Sequence, residues 1–333
     1  MNASLTSQRA IPGRPALRLV KTQDLSREDW LDVRKTGIGS SDAAAAVGLN
    51  PYKSQLELWM EKTQRDSGLP KVDPNDDSSP LYWGTMLEQV VAAQYTKRTG
   101  NRVRKVNAVL QHPQHPWMLA NLDREVVGAP DVQILECKTA GLNGARLWRD
   151  GVPEYVQLQV MHQLAVTGKR AADIAVLICG QELRVHRIER NETMIDQLIV
   201  LEQQFWGRVQ RDEQPPVDGT DSADLALRTL YPNDLGHTLD LSGEFEMAAA
   251  FSDLLAVRQQ LSAFAERESL LKQRIQQRMG EASRAVFETG EVSWKRSKDG
   301  SVVDLERLAK DHPALAQSYA KTKSGTRRFL IQP

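Results

Sequence analysis

The sequence predicts a mixed α/β domain followed by a charged helical extension. Residues 81–100 and 153–168 repeat apolar side chains at the three- and four-residue spacing of amphipathic helices. Between them, residues 101–138 change to short apolar and β-branched runs, which are typical of strands. Residues 243–280 carry one long charged pattern at helical spacing. We therefore expect an α+β architecture, a mixed sheet flanked by helices, with a C-terminal extension that contains both helix and strand.

Changes in composition along the chain predict the domain borders. We expect an N-terminal extended arm, a globular domain of mixed α/β type, a linker rich in Pro and Asp, and a helical arm with a small β-containing tail. In that order they cover residues 1–27, 28–213, 214–242 and 243–333.

Start and stop signals then predict the individual elements. The first helix ends near Gly37, a second begins at Ser40 or Ser41, and Asn191 is the expected N-cap of a later helix. Gly100 closes the helix over 81–100. Further helices are expected over 54–64, 153–168, 191–213 and 243–280, strands within 101–138, a hairpin over 171–190, and a hairpin, a short helix and a last strand in the tail.

Composition excludes several classes of protein. The 333 residues contain 43 Lys and Arg against 43 Asp and Glu, so bulk charge does not indicate a nucleic-acid partner, and any positive field must be local. No apolar run approaches the roughly 20 residues of a membrane helix, and the N-terminus lacks the apolar core of a signal peptide. The two cysteines exclude a disulfide scaffold. We expect no membrane partner and a cytoplasmic location.

The stretch ILECKTA, residues 134–140, carries the chemistry. Glu136 and Lys138 lie two residues apart in a predicted strand, so they point to the same face. Asp123 ends another strand-like run upstream. Two carboxylates of this kind can hold Mg²⁺, whose remaining positions keep waters and a substrate phosphate. The lysine can hold the attacking water or offset developing charge. The alternative interpretation is a surface ion pair on a half-exposed strand.

Three further features suit the same chemistry. Glu88 borders the apolar stripe of the helix over 81–100 and is a candidate third metal ligand, or else a surface glutamate. Gln159 lies among apolar neighbours and is a candidate for positioning water, or else a core-edge amide. Arg34 precedes two glycines and Ser41 at a predicted helix N-terminus. This group could bind a phosphate, and the alternative is that the serine only caps the helix.

Five segments in this order resemble the YqaJ-like viral recombinase family, which includes the lambda-type exonucleases. They are RKTGIGSSDAAAAVGLNPY, WGTMLEQVVAAQY, LANLDREV, ILECKTA and PEYVQLQVMHQLAVTG, and they span about residues 28–205. The resemblance implies a core of the PD-(D/E)XK nuclease superfamily, whose members have a restriction-endonuclease-like fold. It also implies a Mg²⁺-dependent 5′→3′ exonuclease on linear double-stranded DNA, encoded by a phage or prophage and acting in a bacterial host. The product, a 3′ single-stranded overhang, would pass to a single-strand annealing protein.

The resemblance also implies roles for individual residues. Asp123 and Glu136 would bind metal with help from Glu88, and Lys138 and Gln159 would position the water. Arg34 and Ser41 would bind the 5′-phosphate, together with Asn121, which stands where the lambda-type pattern has a serine. Leu81 would be a wedge that unpairs the DNA end. A homotrimeric ring threaded by DNA would explain how a chain of zero net charge holds its substrate.

Two other functions remain open from the sequence. One is an endonuclease of restriction or repair type, which has no use for a 5′-phosphate pocket. The other is a non-catalytic DNA-binding assembly protein, against which the complete set of Asp123, Glu136 and Lys138 argues. Mn²⁺ fits the same oxygen ligands as Mg²⁺, so the sequence does not choose between them.

Overall fold

The computed structural model describes residues 16–22, 25–322 and 325–332. Its first part contains strand β1 (Leu17–Lys21), helix α1 (Arg27–Lys35), β2 (Ile38–Gly39), α2 (Ala43–Ala46), α3 (Gln55–Lys62) and α4 (Pro80–Thr99). Next come β3 (Arg102–Arg104), β4 (Ala108–Gln111), β5 (Met118–Ala120), β6 (Arg124–Val127), β7 (Ile134–Ala140), α5 (Glu154–Thr167), β8 (Ala171–Ile178), β9 (Glu182–Glu189), α6 (Glu192–Arg211) and α7 (Asp221–Leu230). The remainder holds α8 (Phe245–Met279), β10 (Arg284–Phe287), β11 (Gly290–Ser293), α9 (Leu305–Asp311) and α10 (Pro313–Ser318).

The chain divides into two compact units, residues 1–231 and 232–333. The first unit contains a five-stranded sheet in the order β3-β6-β7-β8-β9 and a four-stranded sheet in the order β1-β4-β5-β2. In the larger sheet β7 and β8 run parallel, and the other neighbours are antiparallel. The expected mixed α/β class is therefore confirmed.

Strand β7 lies at the centre of the larger sheet and has helices on both faces. Ile134 faces a core that includes Leu164 of α5, and Leu135 faces a second core with Val91 and Tyr95 of α4. Because successive strand residues alternate between faces, Glu136 lies on the α5 side together with Ile134. This placement puts a carboxylate, 2% exposed, against a helix in an apolar core.

The local signals for α4 and α6 are confirmed. Ser79 accepts a hydrogen bond from the backbone of Leu81 and Pro80 opens the helix, while Gly100 closes α4 with φ of 77°. A positive φ of this size favours glycine, since it has no Cβ. Asn191 caps α6 by accepting from the backbone N–H of Met194. The predicted hairpin is the antiparallel pair β8–β9.

The structure differs from the sequence expectation at both borders of the first unit. Within the predicted arm, residues 17–21 form β1, which pairs with β4, because Val20 and its neighbours can extend that sheet edge. The predicted linker over 214–242 contains α7, which has buried Ala223 and Ala226. Ser222 of α7 donates to Glu57 of α3 and its Oγ lies 3.0 Å from that of Ser54, so this helix belongs to the first unit. Residues 1–15 and 23–24 of the predicted arm lie outside the described residues.

The second unit consists of the long helix α8, the hairpin β10–β11, and the short helices α9 and α10. The predicted hairpin and short helix in the tail are confirmed, since β10 and β11 pair antiparallel over 284–293. The predicted last strand is wrong for the described part of the tail, in which residues 325–332 form no strand. None of the helices among the described residues is long and apolar enough to cross a membrane.

Candidate active site

The side chains predicted to carry chemistry on β7 meet α5 at one polar cluster. Lys138 Nζ lies 2.8 Å from Glu136 Oε1, and it donates to Gln159 Oε1 at 2.9 Å. Gln159 Nε2 in turn donates to Glu136 Oε1 at 2.6 Å. The three side chains thus form a closed triangle, as their spacing in strand and helix allows.

Asp123 lies beside this triangle, directly before β6. Its Oδ2 accepts from the backbone N–H of Cys137 at 2.8 Å, between Glu136 and Lys138 in sequence. Burial and then the nearby Glu136 carboxylate raise the pKa of Asp123 to about 8. A carboxyl whose ionisation is opposed by burial and by a neighbouring carboxylate is stabilised in its charged form by a bound cation.

Lys138 is held in its charged form. Burial alone would lower its pKa, but the Glu136 carboxylate outweighs burial and raises the pKa above the usual value for lysine. Its side chain remains 26% exposed, so the ammonium is reachable from solvent. Lys138 is therefore a cation at neutral pH with one side open to a ligand.

Sequence reasoning missed Gln163, which lies one helical turn beyond Gln159. Its Nε2 donates to Glu136 Oε2 at 2.7 Å, so each oxygen of Glu136 is held by a different glutamine. Its own Oε1 is buried and has no hydrogen-bond partner in the structure. The four-residue spacing of the glutamines was the available signal, because residues i and i+4 share a helix face.

Glu88 lies on the face of α4 that packs against the sheet, one turn before the buried Val91 and Ala92. Val90, two residues further along, is 45% exposed and therefore lies outside the buried stripe of α4. Arg124 donates to the Glu88 carboxylate and, at 2.5 Å, to the carbonyl oxygen of Asp123. The described residues contain no group of three or more His, Cys, Asp or Glu side chains that could hold a metal. Asp123 and Glu136 are the two carboxylates beside Lys138.

Arg34 and Ser41 meet at a second position. Arg34 Nη2 donates to Ser41 Oγ at 2.9 Å and to Asp42 Oδ1 at 2.8 Å, and its guanidinium lies 5.0 Å from the centre of the Trp30 ring. The expected serine cap is wrong: residues 40–42 form a 3₁₀ turn without a side-chain cap, and α2 is only four residues long. A phosphate site at this position would therefore depend on the Arg34 guanidinium and the Ser41 hydroxyl, and not on a helix N-terminus.

Arg34, Asp42 and Lys62 form an ion triad that holds the guanidinium of Arg34 in place. Lys62 of α3 donates to Asp42 Oδ2 and to the carbonyl oxygen of Arg34, both at 2.8 Å. Burial opposes the charge of Asp42, but Arg34 and then Lys62 outweigh it and hold its pKa far below the usual range. The side chains of Asp42 and Lys62 are each only 3% exposed.

Asn121 and Leu81 occupy separate positions. Asn121 follows β5, and its carbonyl oxygen accepts from Gln163 at 3.4 Å, which places its backbone beside α5. Leu81, in the first turn of α4, is 65% exposed. A Cβ added to Gly84, one turn later, would lie 3.9 Å from Thr139 Oγ1, so this end of α4 lies next to β7.

We expect the substitution Asp42→Asn to lower the free energy of unfolding by about 3 to 5 kcal/mol, because it leaves Lys62 buried without its anion. The folded-state pKa of Asp42 lies below its unfolded value of about 4. The contribution of the triad is therefore complete above pH 4 and is lost as the pH falls toward the folded-state value. Urea unfolding at pH 7 and pH 3 checks this, and the wild-type advantage should be smaller at pH 3.

Asp32→Asn is the matched control for Asp42→Asn. Asp32 pairs with Lys35 on the surface and is 72% exposed, so its loss should change stability by less than about 0.5 kcal/mol. Equal effects of the two substitutions would contradict a stabilising triad.

Comparison with known proteins gives the family. The YqaJ-like viral recombinase domain matches residues 29–170. The uncharacterized protein YqaJ of Bacillus subtilis is 32% identical over 321 residues, which cover 94% of this chain and 97% of that protein. The chain belongs to the YqaJ-like viral recombinase family. The resemblance read from the five sequence segments is thereby confirmed.

Two solved structures share weaker likeness with this chain. An alkaline exonuclease of Laribacter hongkongensis is 21% identical, with a TM-score of 0.47, over 56% of this chain and 93% of that one. A phage-related exonuclease of Haemophilus somnus is 10% identical, with a TM-score of 0.38, over 55% of this chain and 99% of that one.

Proposed function

We propose that this viral recombinase family member is a Mg²⁺-dependent 5′→3′ exonuclease that degrades linear double-stranded DNA. The observation that carries the proposal is the convergence of Glu136, Lys138 and Gln159 beside Asp123. A structural ion pair on a strand needs only two of these groups. A metal-dependent nuclease has a use for all of them, because the carboxylates can hold a cation while the lysine and the amide hold a water next to the substrate phosphate.

The donor set fits a hard divalent cation. Asp123 and Glu136 supply carboxylate oxygens, which Mg²⁺ and Mn²⁺ both accept while retaining waters. Burial and then the Glu136 carboxylate raise the pKa of Asp123, and a cation at this position would favour its charged form. When bound, the cation would lower the pKa of a water and offset charge on the phosphate. Glu88 remains a prediction as a third ligand, since Arg124 holds its carboxylate in the structure.

The neighbouring side chains can position the water and the phosphate. Lys138 Nζ can donate to a water or to a phosphate oxygen, and Gln159 Oε1 can accept from the water. Glu136 fixes both groups, and Gln163 fixes Glu136. In hydrolysis the water oxygen bonds to phosphorus and the P–O3′ bond breaks. The released nucleotide gains a 3′-hydroxyl, and the shortened strand keeps a 5′-phosphate.

That new 5′-phosphate gives Arg34 and Ser41 a role in every cycle. The Asp42–Lys62 triad holds the guanidinium in place, and the planar fork of arginine matches a phosphate. In the same proposal Asn121 contributes beside α5, and Leu81 acts as the wedge. The overhang left behind suits an annealing protein, and a homotrimeric ring would retain the DNA through successive cycles.

Digestion of end-labelled duplex DNA with Mg²⁺ tests this function. A linear duplex labelled at the 5′ end should release its label early and one labelled at the 3′ end late, and a closed circle should be spared. Cutting of the circle would favour the endonuclease alternative. No release from any substrate with Mg²⁺ or Mn²⁺ would contradict an enzymatic function.

A further inference from the structure

Helix α8 carries a heptad seam along almost its whole length. We define the α8 seam as the residues that alternate three and four positions apart from Met247 to Ile275: Met247, Ala250, Leu254, Val257, Leu261, Phe264, Glu268, Leu271 and Ile275. All but Glu268 are apolar. A repeat of this period places its members along one stripe, which is the stripe that coiled coils bury.

The central part of the seam is exposed in the described chain. Leu261 and Phe264, near its centre, are 61% and 64% exposed, and Val257 is 50% exposed. At 35 residues and about 1.5 Å per residue, α8 is about 52 Å long. An apolar stripe of that length exposed to water favours association with another helix of the same period.

We propose that α8 pairs with α8 of a second copy of this chain as an antiparallel coiled coil centred near residue 259. Two independent features select this partner and this direction. Both follow from the sequence positions along the helix, and both disfavour the parallel alternative.

The first feature is the placement of Glu268 in the seam. In a parallel, in-register pair each seam residue meets its own copy, so two Glu268 carboxylates would face each other in an apolar interface. In the antiparallel pair Glu268 meets Ala250, a small residue beside which the carboxylate can extend to solvent. The other facing pairs are then apolar: Met247 with Leu271, Leu254 with Phe264, and Val257 with Leu261.

The second feature is the charge along one flank of the seam. This flank is formed by the residues that immediately precede Met247, Leu254, Leu261, Glu268 and Ile275. From the N-terminal end these are Glu246, Asp253, Gln260, Arg267 and Arg274. In an antiparallel pair this flank meets itself in reverse order. Glu246 then faces Arg274, Asp253 faces Arg267, and Gln260 faces Gln260 of the second copy. On the other flank of the antiparallel pair, Arg258 faces its own copy at one central contact. A parallel pair would instead set Asp253 near Arg258, which attracts, and Arg267 near Lys272, which repels, so these charges would give it no net attraction.

Mass and cross-linking measurements on the full chain test the pairing. Light scattering should give an even number of copies for the wild type, two if the first unit is monomeric and six if it forms a trimer. Leu261→Asp should halve that number, because it places a carboxylate in the centre of the seam. Gln259→Asp, on the outer face, should leave it unchanged. An unchanged mass for Leu261→Asp would overturn the proposal, provided that circular dichroism shows the helix intact.

Disulfide formation fixes the direction. Cys179 is exposed, so a Cys179→Ser variant is the background. Under mild oxidation Gln260→Cys should give a covalent dimer and Gln259→Cys should not. Glu268→Cys should form a disulfide-linked dimer only in a parallel pair. A covalent dimer of Glu268→Cys, with none for Gln260→Cys, would overturn the antiparallel assignment.

Discussion

Replacing Glu136 with Gln is expected to reduce the rate of DNA hydrolysis by about 10³-fold or more while the protein remains folded. Glu136 Oε1 holds Lys138 and Gln159 together, and Oε2 holds Gln163. A glutamine has the same shape, but it removes the negative charge and turns one acceptor into a donor. Lys138 then loses the carboxylate that keeps its pKa raised. Release of acid-soluble nucleotides from linear duplex DNA measures the effect.

Glu125→Gln is the matched control. Glu125 lies on the neighbouring strand β6 and pairs with Lys169 and Arg104 outside the polar cluster. Its replacement should leave the rate within about twofold. If Glu136→Gln digested DNA as fast as Glu125→Gln, the cluster on β7 would have no part in hydrolysis.

Replacing Arg34 with Ala should abolish the preference for a 5′-phosphorylated end over a 5′-hydroxyl end. A hydrogen bond to a charged group contributes about 1.5 to 3 kcal/mol, so we expect the ratio of kcat/KM values for the two ends to fall by about 10- to 100-fold. Activity on the 5′-hydroxyl end should change much less, since that end offers the guanidinium no anion.

Lys35→Ala separates this effect from a general loss of positive charge. Lys35 is adjacent in sequence but pairs with Asp32 on the surface. Its replacement should preserve the end preference. A wild-type ratio in Arg34→Ala would show that the 5′-phosphate binds elsewhere.

The sequence predicted the parts of the candidate site that depend on local periodicity. Glu136 and Lys138 share a strand face because their spacing is two, and Gln159 reaches them because the helix after β7 packs back on the sheet. The predicted α4 and its glycine cap depend on equally local signals. These relations need only the geometry of one strand and one helix.

The remaining features depend on contacts between residues far apart in the chain. Nothing local to Lys62 indicates that its ammonium is buried against Asp42, 20 positions earlier. Nothing local to Arg124 indicates that it donates to Glu88 of α4. The short helix α7 lies in a Pro- and Asp-rich stretch, and its packing against α3 and the adjoining core stabilises it. Periodicity cannot supply such pairings.

Calorimetric titration of the DNA-free protein with Mg²⁺ measures directly whether the carboxylates beside Lys138 hold a cation. We expect a binding event in the wild type and in Glu125→Gln that is lost in Asp123→Asn, because the proposed site takes its oxygen ligands from Asp123 and Glu136. The same binding isotherm for Asp123→Asn and the wild type would contradict the assignment of this carboxylate pair as the metal site.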